Sequence, residues 1–354
     1  MESICIPNPD CNLKIIYTPL HGSGNVPVRR VLKDLGYTNV CVVPEQELPD
    51  GTFPTVAKPN PEEKAVFDLA IAMAEQDGAD VIIGTDPDCD RVGVVCRTTD
   101  GGYTVFTGNQ TGALLVDYLL KTRTYGDNKT IVKTIVTSEF GRVVATDHGA
   151  DCVDVLTGFK YIGEKMTQWQ ADGSRSFVMG YEESYGYLSG DHARDKDGVV
   201  ASALVCEMAD YYRKQGMTLY EALEALYQQH GYFIETQQSI ALGGVEGPAQ
   251  IAKIMDAFRG EWFNAFADEA LVRVDDYLAG ISVSLQTGEE SHIDLPASNV
   301  LKFCFDQNSW YALRPSGTEP KLKIYYSVTG KTKAEAEEKL VELQTLVNAQ
   351  LPAL

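Results

Sequence analysis

The residues best placed to act together chemically lie in Gly84-Thr85-Asp86-Pro87-Asp88-Cys89-Asp90-Arg91, where three aspartates alternate. Carboxylates spaced this way in a loop can converge on one hard cation such as Mg²⁺, which takes oxygen ligands. With nothing between them they repel one another, and the alternative is a solvated acidic turn. The loop is not a helix–loop–helix calcium site, because Arg91 stands where that loop needs Gly and Arg97 where it needs a bidentate Glu. A second run, Leu313-Arg314-Pro315-Ser316-Gly317-Thr318-Glu319-Pro320-Lys321, carries donors for a phosphate. Arg314 offers a planar fork, Ser316 and Thr318 add hydroxyls, and Gly317 lets backbone N–H groups close on the anion. By itself the run equally describes a Pro/Gly turn between strands. A third, Gly180-Tyr181-Glu182-Glu183-Ser184-Tyr185-Gly186-Tyr187, sets adjacent carboxylates and a hydroxyl in a Gly-bounded loop. That set suits vicinal sugar hydroxyls or, as readily, solvent.

Other segments carry less. Gly190-Asp191-His192-Ala193-Arg194-Asp195-Lys196-Asp197-Gly198 mixes both signs ahead of a helix, and a charged helix entrance explains it. Thr18-Pro19-Leu20-His21-Gly22-Ser23-Gly24 follows a strand and precedes a helix, as a dinucleotide loop would. Pro27 stands where that fingerprint needs its last Gly, so no nicotinamide site is expected. His148, His230 and His292 show no pairing. The eight cysteines are scattered without C-x-x-C spacing, which leaves zinc and dithiol motifs unsupported and reads as reduced thiols in a cytoplasm.

The charge of the whole chain sharpens what a phosphate ligand requires. A formal net charge of −20 argues against nucleic acid and against an anionic membrane surface as partners. Phosphate must then be held by concentrated local donors or a divalent metal. No apolar run is long enough to cross a bilayer, and Met1 to Pro7 lacks the basic region and long apolar core of a signal peptide.

These loops need elements to hold them. At 354 residues the chain predicts two to four compact units. Lys14 to Thr18 reads as a strand, Val26 to Leu35 as a helix and Val40 to Val43 as a strand. Asn60 as N-cap, Pro61 at the first helical position and Glu63 at the third open a helix, with Val66, Leu69, Ala70 and Met73 at helical spacing. Val81 to Gly84 is an apolar strand of the buried, parallel kind. A second α/β pattern starts near Thr107, with strands at Thr130 to Val136, Cys152 to Leu156 and Ser176 to Met179. Its helices are expected at Ala113 to Leu120, Ile162 to Trp169, Val199 to Arg213 and Leu219 to Gln229. From Gly231 the texture is strand-rich (Gly231 to Ile240, Gly280 to Leu285, Val300 to Phe305, Leu322 to Val328), with helices at Pro248 to Phe258 and Lys333 to Val347. The expected class is α/β: two consecutive α/β domains with mixed sheets, then a smaller α+β C-terminal domain. No internal repeat is visible.

Taken in order, Thr85 to Arg91, Leu156-Thr157-Gly158-Phe159-Lys160-Tyr161-Ile162-Gly163-Glu164, Gly180 to Gly186 and Arg314 to Lys321 resemble the α-D-phosphohexomutase family, which includes phosphoglucomutases and phosphomannomutases. Pro87 in the aspartate loop and Tyr181 in the sugar loop look most like its phosphoglucomutase and phosphopentomutase branch. The family has four domains, the first with a phosphorylated serine in a T-x-S-H-N-P-type loop that is not found here. The resemblance therefore implies domains two to four: 1–104 with the metal loop, 105–228 with the sugar loop and 229–354 with the phosphate loop. It implies that Asp86, Asp88 and Asp90 bind Mg²⁺, and that Arg91 stabilises the transferring phosphoryl group. Glu182 and Ser184 would hold sugar hydroxyls, and Arg314, Ser316, Gly317 and Thr318 the non-reacting phosphate. Lys160 and His192 would contact the sugar phosphate or move a proton. Gly186-Tyr187 departs from the family's usual Gly-His and puts a proton transfer there in doubt. The implied reaction interconverts glucose 1-phosphate and glucose 6-phosphate through a bisphosphate, with glucose 1,6-bisphosphate as activator. This chain alone is expected to be inactive, in the cytoplasm, and a monomer or weak dimer. Pentose or mannose phosphate as substrate, or a non-catalytic phosphosugar-binding module, remain open alternatives.

Overall fold

Short apolar runs bounded by turn residues become the inner strands of two similar sheets. The computed structural model describes residues 4–244, 246–317 and 319–351. Its first elements are β1 (Ile15–Thr18), α1 (Asn25–Asp34), β2 (Val40–Val42), a short α2 (Pro44–Glu47), α3 (Asp68–Asp77), β3 (Val81–Thr85), β4 (Val92–Arg97) and β5 (Tyr103–Val105). They form a sheet of order β2-β1-β3-β4-β5, parallel through β3 and antiparallel beyond it. Every residue of β1 and β3 is buried, as sequences apolar on both faces require.

The next elements are α4 (Gly108–Thr122), β6 (Lys129–Thr134), α5 (Phe140–Asp147), β7 (Asp151–Val155), α6 (Phe159–Asp172), β8 (Ser176–Glu182), β9 (Gly186–Ser189), α7 (Gly198–Lys214) and α8 (Leu219–His230). A capping box of Thr107 and Gln110 starts α4. Their sheet has the order β7-β6-β8-β9, again parallel through three strands and closed by a hairpin. The two sheets therefore repeat one topology that the sequence does not display. In each copy the same connection carries a candidate loop: the aspartates join β3 to β4, and Glu183 to Tyr185 join β8 to β9.

The last elements are β10 (Tyr232–Ala241), α9 (Gly247–Gly260), β11 (Ala265–Phe266), β12 (Glu269–Asp276), β13 (Ile281–Ser284), β14 (Glu290–His292), β15 (Leu301–Phe305), β16 (Trp310–Pro315), β17 (Lys321–Gly330) and α10 (Lys333–Gln350). They build one antiparallel sheet of order β10-β17-β16-β15-β12-β13-β14, with β11 paired to β12. Leu313, Ile324, Tyr326 and Phe303 on one sheet face share a core with Ile254 and Phe258 of α9 and Leu343 and Val347 of α10. The chain divides into two compact units, Met1–Leu226 with both α/β sheets and Tyr227–Leu354 with the β-rich sheet. The expected fold class is the one found.

One helix does not start where its sequence suggests. Asn60 caps no helix; its Oδ1 accepts the Glu62 N–H at 3.0 Å in a local turn. A 3₁₀ turn, Lys64–Phe67, then leads into α3 at Asp68. Glu62 is drawn away to Arg91 and so serves the site, while Glu63 pairs with Lys58 at 3.1 Å. The expected apolar stripe is also rotated: Val66, Phe67, Ala70 and Ala74 are buried, whereas Leu69 is 37% exposed.

Candidate active site

A narrow slot sets the aspartate loop. Gly84 and Gly93 face each other across β3 and β4, and a Cβ on either would lie 2.6 Å from the Phe67 ring. Beyond them the chain turns with Cys89 at φ 61°, and the Cys89 N–H donates to the Asp86 carbonyl at 3.0 Å. Asp86 Oδ1 accepts the backbone N–H groups of Asp90 (3.0 Å) and Arg91 (2.9 Å), closing the loop on itself. One carboxylate oxygen from each of Asp86, Asp88 and Asp90 lies within 4.8 Å of the others. Asp86 is buried and Asp88 exposed. Burial, with the Asp90 and Asp88 carboxylates adding to it against the Arg91 backbone hydrogen bond, pushes Asp86 up to about 7. A set of hard oxygen donors that is unfavourable without a cation fits Mg²⁺.

The sign of that shift yields a prediction. The folded carboxyl titrates above the unfolded one, so the folded state keeps a proton across that window and its stability falls as pH rises through it. A divalent cation held at the loop would take over the role of that proton. The gain in Tm on adding Mg²⁺ is therefore expected to be small near about pH 5 and larger near about pH 8, as measured by scanning fluorimetry. Equal gains at the two pH values would contradict it.

Three charged groups converge on this loop. The Arg91 guanidinium donates to Glu62 at 2.7 Å, and its Nε lies 3.7 Å from Asp86 and 3.8 Å from Asp90. Lys196 Nζ pairs with Asp90 Oδ2 at 2.8 Å. Its stem crosses Gly186, where a Cβ would fall 2.3 Å from Lys196 Cδ, so any side chain there would displace the lysine stem. Lys196 and Glu62 are the participants that sequence reasoning missed. Lys196 sat in a segment explained as a helix entrance, and Glu62 in a presumed helix start.

The Glu182 loop meets the aspartate loop directly. Arg91 forms a β-bridge with Gly186, and the Val92 N–H donates to the Tyr185 carbonyl at 3.0 Å. Glu182 is buried and accepts the Gly158 N–H at 3.0 Å, which ties it to the start of α6. Burial first, and then the neighbouring Glu183, holds its carboxyl above the usual range. Glu183 turns inward, accepting from Thr134 (3.2 Å) and Thr137 (3.1 Å), and so fixes the base of the loop. Ser184 is half-buried at the tip. The Thr18 to Gly24 turn braces the aspartate loop from beneath: the Ser23 N–H and hydroxyl donate to the Pro87 carbonyl at 2.7 and 2.9 Å. A Cβ on Gly22 would lie 2.3 Å from Pro87 Cα.

The other predicted residues in this unit have different neighbours. His192 Nε2 is 2.8 Å from Asp197 Oδ2, and Asp197 Oδ1 caps α7. Lys160 is exposed, 4.8 Å above the Tyr161 ring, at a surface cavity of about 530 Å³ lined also by Glu164, Thr167 and Arg194. His148, expected to be unpaired, is bound at 2.8 Å to the buried Asp117, which also holds Tyr212 and Lys121.

In the second unit, Arg314 is the penultimate residue of β16 and donates to the Tyr325 hydroxyl at 3.3 Å. It stands in register with Lys323 of β17, and like charges across a sheet repel. The Ser316 N–H donates to the Lys321 carbonyl at 2.8 Å, which shapes the turn, and the Lys321 ammonium is 2.6 Å from Glu319. A Cβ on Gly317 would meet nothing within 4 Å among the described residues, so packing does not demand glycine there. Thr318 lies outside the described residues. Lys323 was missed because its signal is strand register, not motif.

Residues 3–101 match the model for phosphoglucomutase/phosphomannomutase α/β/α domain II, and residues 107–230 match the model for domain III. The chain belongs to the phosphoglucomutase/phosphomannomutase family. It is 38% identical over 320 residues to a phosphoglucomutase of Staphylococcus haemolyticus, covering 90% of this chain and 58% of that protein. A phosphoglucomutase of Staphylococcus aureus is 37% identical over 320 residues, with 90% and 57% covered. The chain thus spans less than two thirds of the length of these relatives. In fold it is similar to pp63/parafusin of Paramecium, with a TM-score of 0.71 at 17% identity, covering 96% of this chain and 58% of that one. A phosphoglucomutase/phosphomannomutase family protein of Burkholderia thailandensis gives 0.68 at 18%, with 99% and 63% covered.

Proposed function

We propose that this chain is the metal-, sugar- and phosphate-binding portion of a phosphoglucomutase-type enzyme, and that it moves a phosphoryl group between C1 and C6 of glucose phosphate only with a serine-bearing segment. The observation that carries the reading is the meeting of the aspartate loop with the Glu182 loop, joined by the Arg91–Gly186 bridge and spanned by Lys196. Residues 1–104, 105–228 and 229–354 are assigned as the second, third and fourth family domains.

Asp86, Asp88 and Asp90 would hold Mg²⁺, which when bound neutralises negative charge on the phosphoryl oxygens. Arg91 and Lys196 bring fixed positive charge to the same place, so the transfer depends on position more than on any acid or base. Glu182, held by the Gly158 N–H, accepts from sugar hydroxyls, and Ser184 adds a hydroxyl beside it. Arg314, with Ser316 to Thr318 and Lys323, grips the phosphate that does not react. His192 and Lys160 are assigned the sugar-phosphate periphery. Glucose 1,6-bisphosphate serves as activator, a sugar phosphate is the partner, and the protein works in the cytoplasm as a monomer or weak dimer.

The test is the conversion of glucose 1-phosphate to glucose 6-phosphate with Mg²⁺ and a trace of glucose 1,6-bisphosphate. This chain is compared with the same chain extended to the start of its gene. Turnover only in the extended protein is expected. Turnover by this chain alone would overturn the assignment of the nucleophile to another segment. Phosphosugar binding without turnover in either would favour a binding module, and turnover of pentose or mannose phosphate instead would reassign the substrate.

A further inference from the structure

The loop that delivers Lys196 is tied to α6 by the Arg194 side chain, with Ala193 packed against the core on the same helix. Arg194 Nε donates to Thr167 Oγ1 at 3.0 Å, and its NH1 donates to the carbonyls of Asp191 and Ala193, both at 2.8 Å. Its NH2 donates to Gln170 Oε1. The guanidinium thus gathers two carbonyls of its own loop and two side chains of α6. The backbone follows closely, since a Cβ on Gly163 of α6 would lie 2.4 Å from the Arg194 carbonyl oxygen. On the far side the Asp197 N–H donates to Tyr187 and the Gly198 N–H to Cys89, each at 3.0 Å. Only Asp195 and Lys196 lie between these fastenings, and Lys196 is the residue whose ammonium reaches Asp90.

We propose that Arg194 is a positioning residue that holds Lys196 on the aspartate loop, an inference resting on the reading of that loop as the reaction site. A planar fork is essential to it. Lysine keeps the charge but presents its donors from one point, so it cannot span Thr167, Gln170 and two carbonyls at once.

The test reads the lysine directly. Wild type, Arg194→Lys and Arg194→Gln are acylated with limiting acetic anhydride, and each lysine is quantified by peptide mass spectrometry. Lys133, fully buried between Glu139 and Asp154 in the same unit, serves as the internal control. Lys196 is expected to react about tenfold faster in both variants, the scale of losing a charge-assisted bond, with Lys133 still protected. Unchanged Lys196 reactivity would overturn the proposal. So would rescue by Arg194→Lys, which would mean that charge alone suffices, or a parallel rise at Lys133, which would mean general loosening. Mn²⁺ titration of the wild-type chain is the separate arm: no binding there fails the metal reading, and the acylation result still decides the role of Arg194.

Discussion

Replacing Asp88 with Asn is expected to abolish divalent-cation binding while leaving the fold intact. The argument rests on how differently the three aspartates are used. Asp86 is buried, and one of its oxygens already closes the loop through two backbone N–H groups. Asp90 is shared with Lys196 and lies near Arg91. Asp88 is exposed, at the position the chain can change most cheaply. Removing a direct carboxylate ligand should cost at least about 100-fold in affinity, beyond the range typical of outer-shell partners. Mn²⁺ titration followed by electron paramagnetic resonance measures it, with Tm as the control for folding. Asp86→Asn is expected to lose the cation and also to shift Tm, because it alters the group that closes the loop. Unchanged Mn²⁺ affinity in Asp88→Asn would remove the aspartate loop from the mechanism.

The legible parts of this molecule were those where one local rule sufficed. β3 could be read because an unbroken apolar run admits few other fates, and the loop after it because alternating aspartates are costly without a reason. Long helices such as α7, buried along nearly its whole length, and α10 were legible as unbroken helix-forming runs with no internal Pro. What could not be read depended on distant partners. The start of α3 was misplaced because Glu62 serves Arg91, 29 residues away, rather than its own helix. The strand β16 went unnoticed although it carries Arg314, since its register with β15 and β17 is a property of the sheet. Lys196 was hidden for the same reason: its meaning lies in Asp90, in the β3–β4 loop of the other α/β sheet.

The repeated topology explains why the site can be assembled at all. Each α/β sheet presents the hairpin that follows its third strand in chain order, so two copies of one plan yield two loops in equivalent places. The contact between them needs few dedicated residues, namely a glycine thin enough for the Lys196 stem and a backbone bridge at Arg91. Evolution can then vary the loop side chains while the strands that aim them stay constant.

In the second unit, Arg314→Ala is expected to lower affinity for glucose 6-phosphate about 100-fold without lowering Tm. Charge-assisted hydrogen bonds contribute roughly 1.5–3 kcal/mol each, so losing a guanidinium fork accounts for a change of that size. The effect on stability has the opposite origin. Arg314 faces Lys323 across the strands, and a like-charged pair is destabilising until an anion lies between them. Its removal takes one long hydrogen bond from the hydroxyl of the buried Tyr325 and relieves the repulsion, so the two effects offset and Tm should stay about level. Arg314→Lys keeps the charge but loses the fork and should fall about tenfold, with Lys323→Met similar, because each removes roughly one strong contact. Titration calorimetry of the four proteins separates these cases. Wild-type affinity in Arg314→Ala would show that the non-reacting phosphate is held elsewhere. A large drop in Tm would show that the arginine is there for the sheet and not for the ligand.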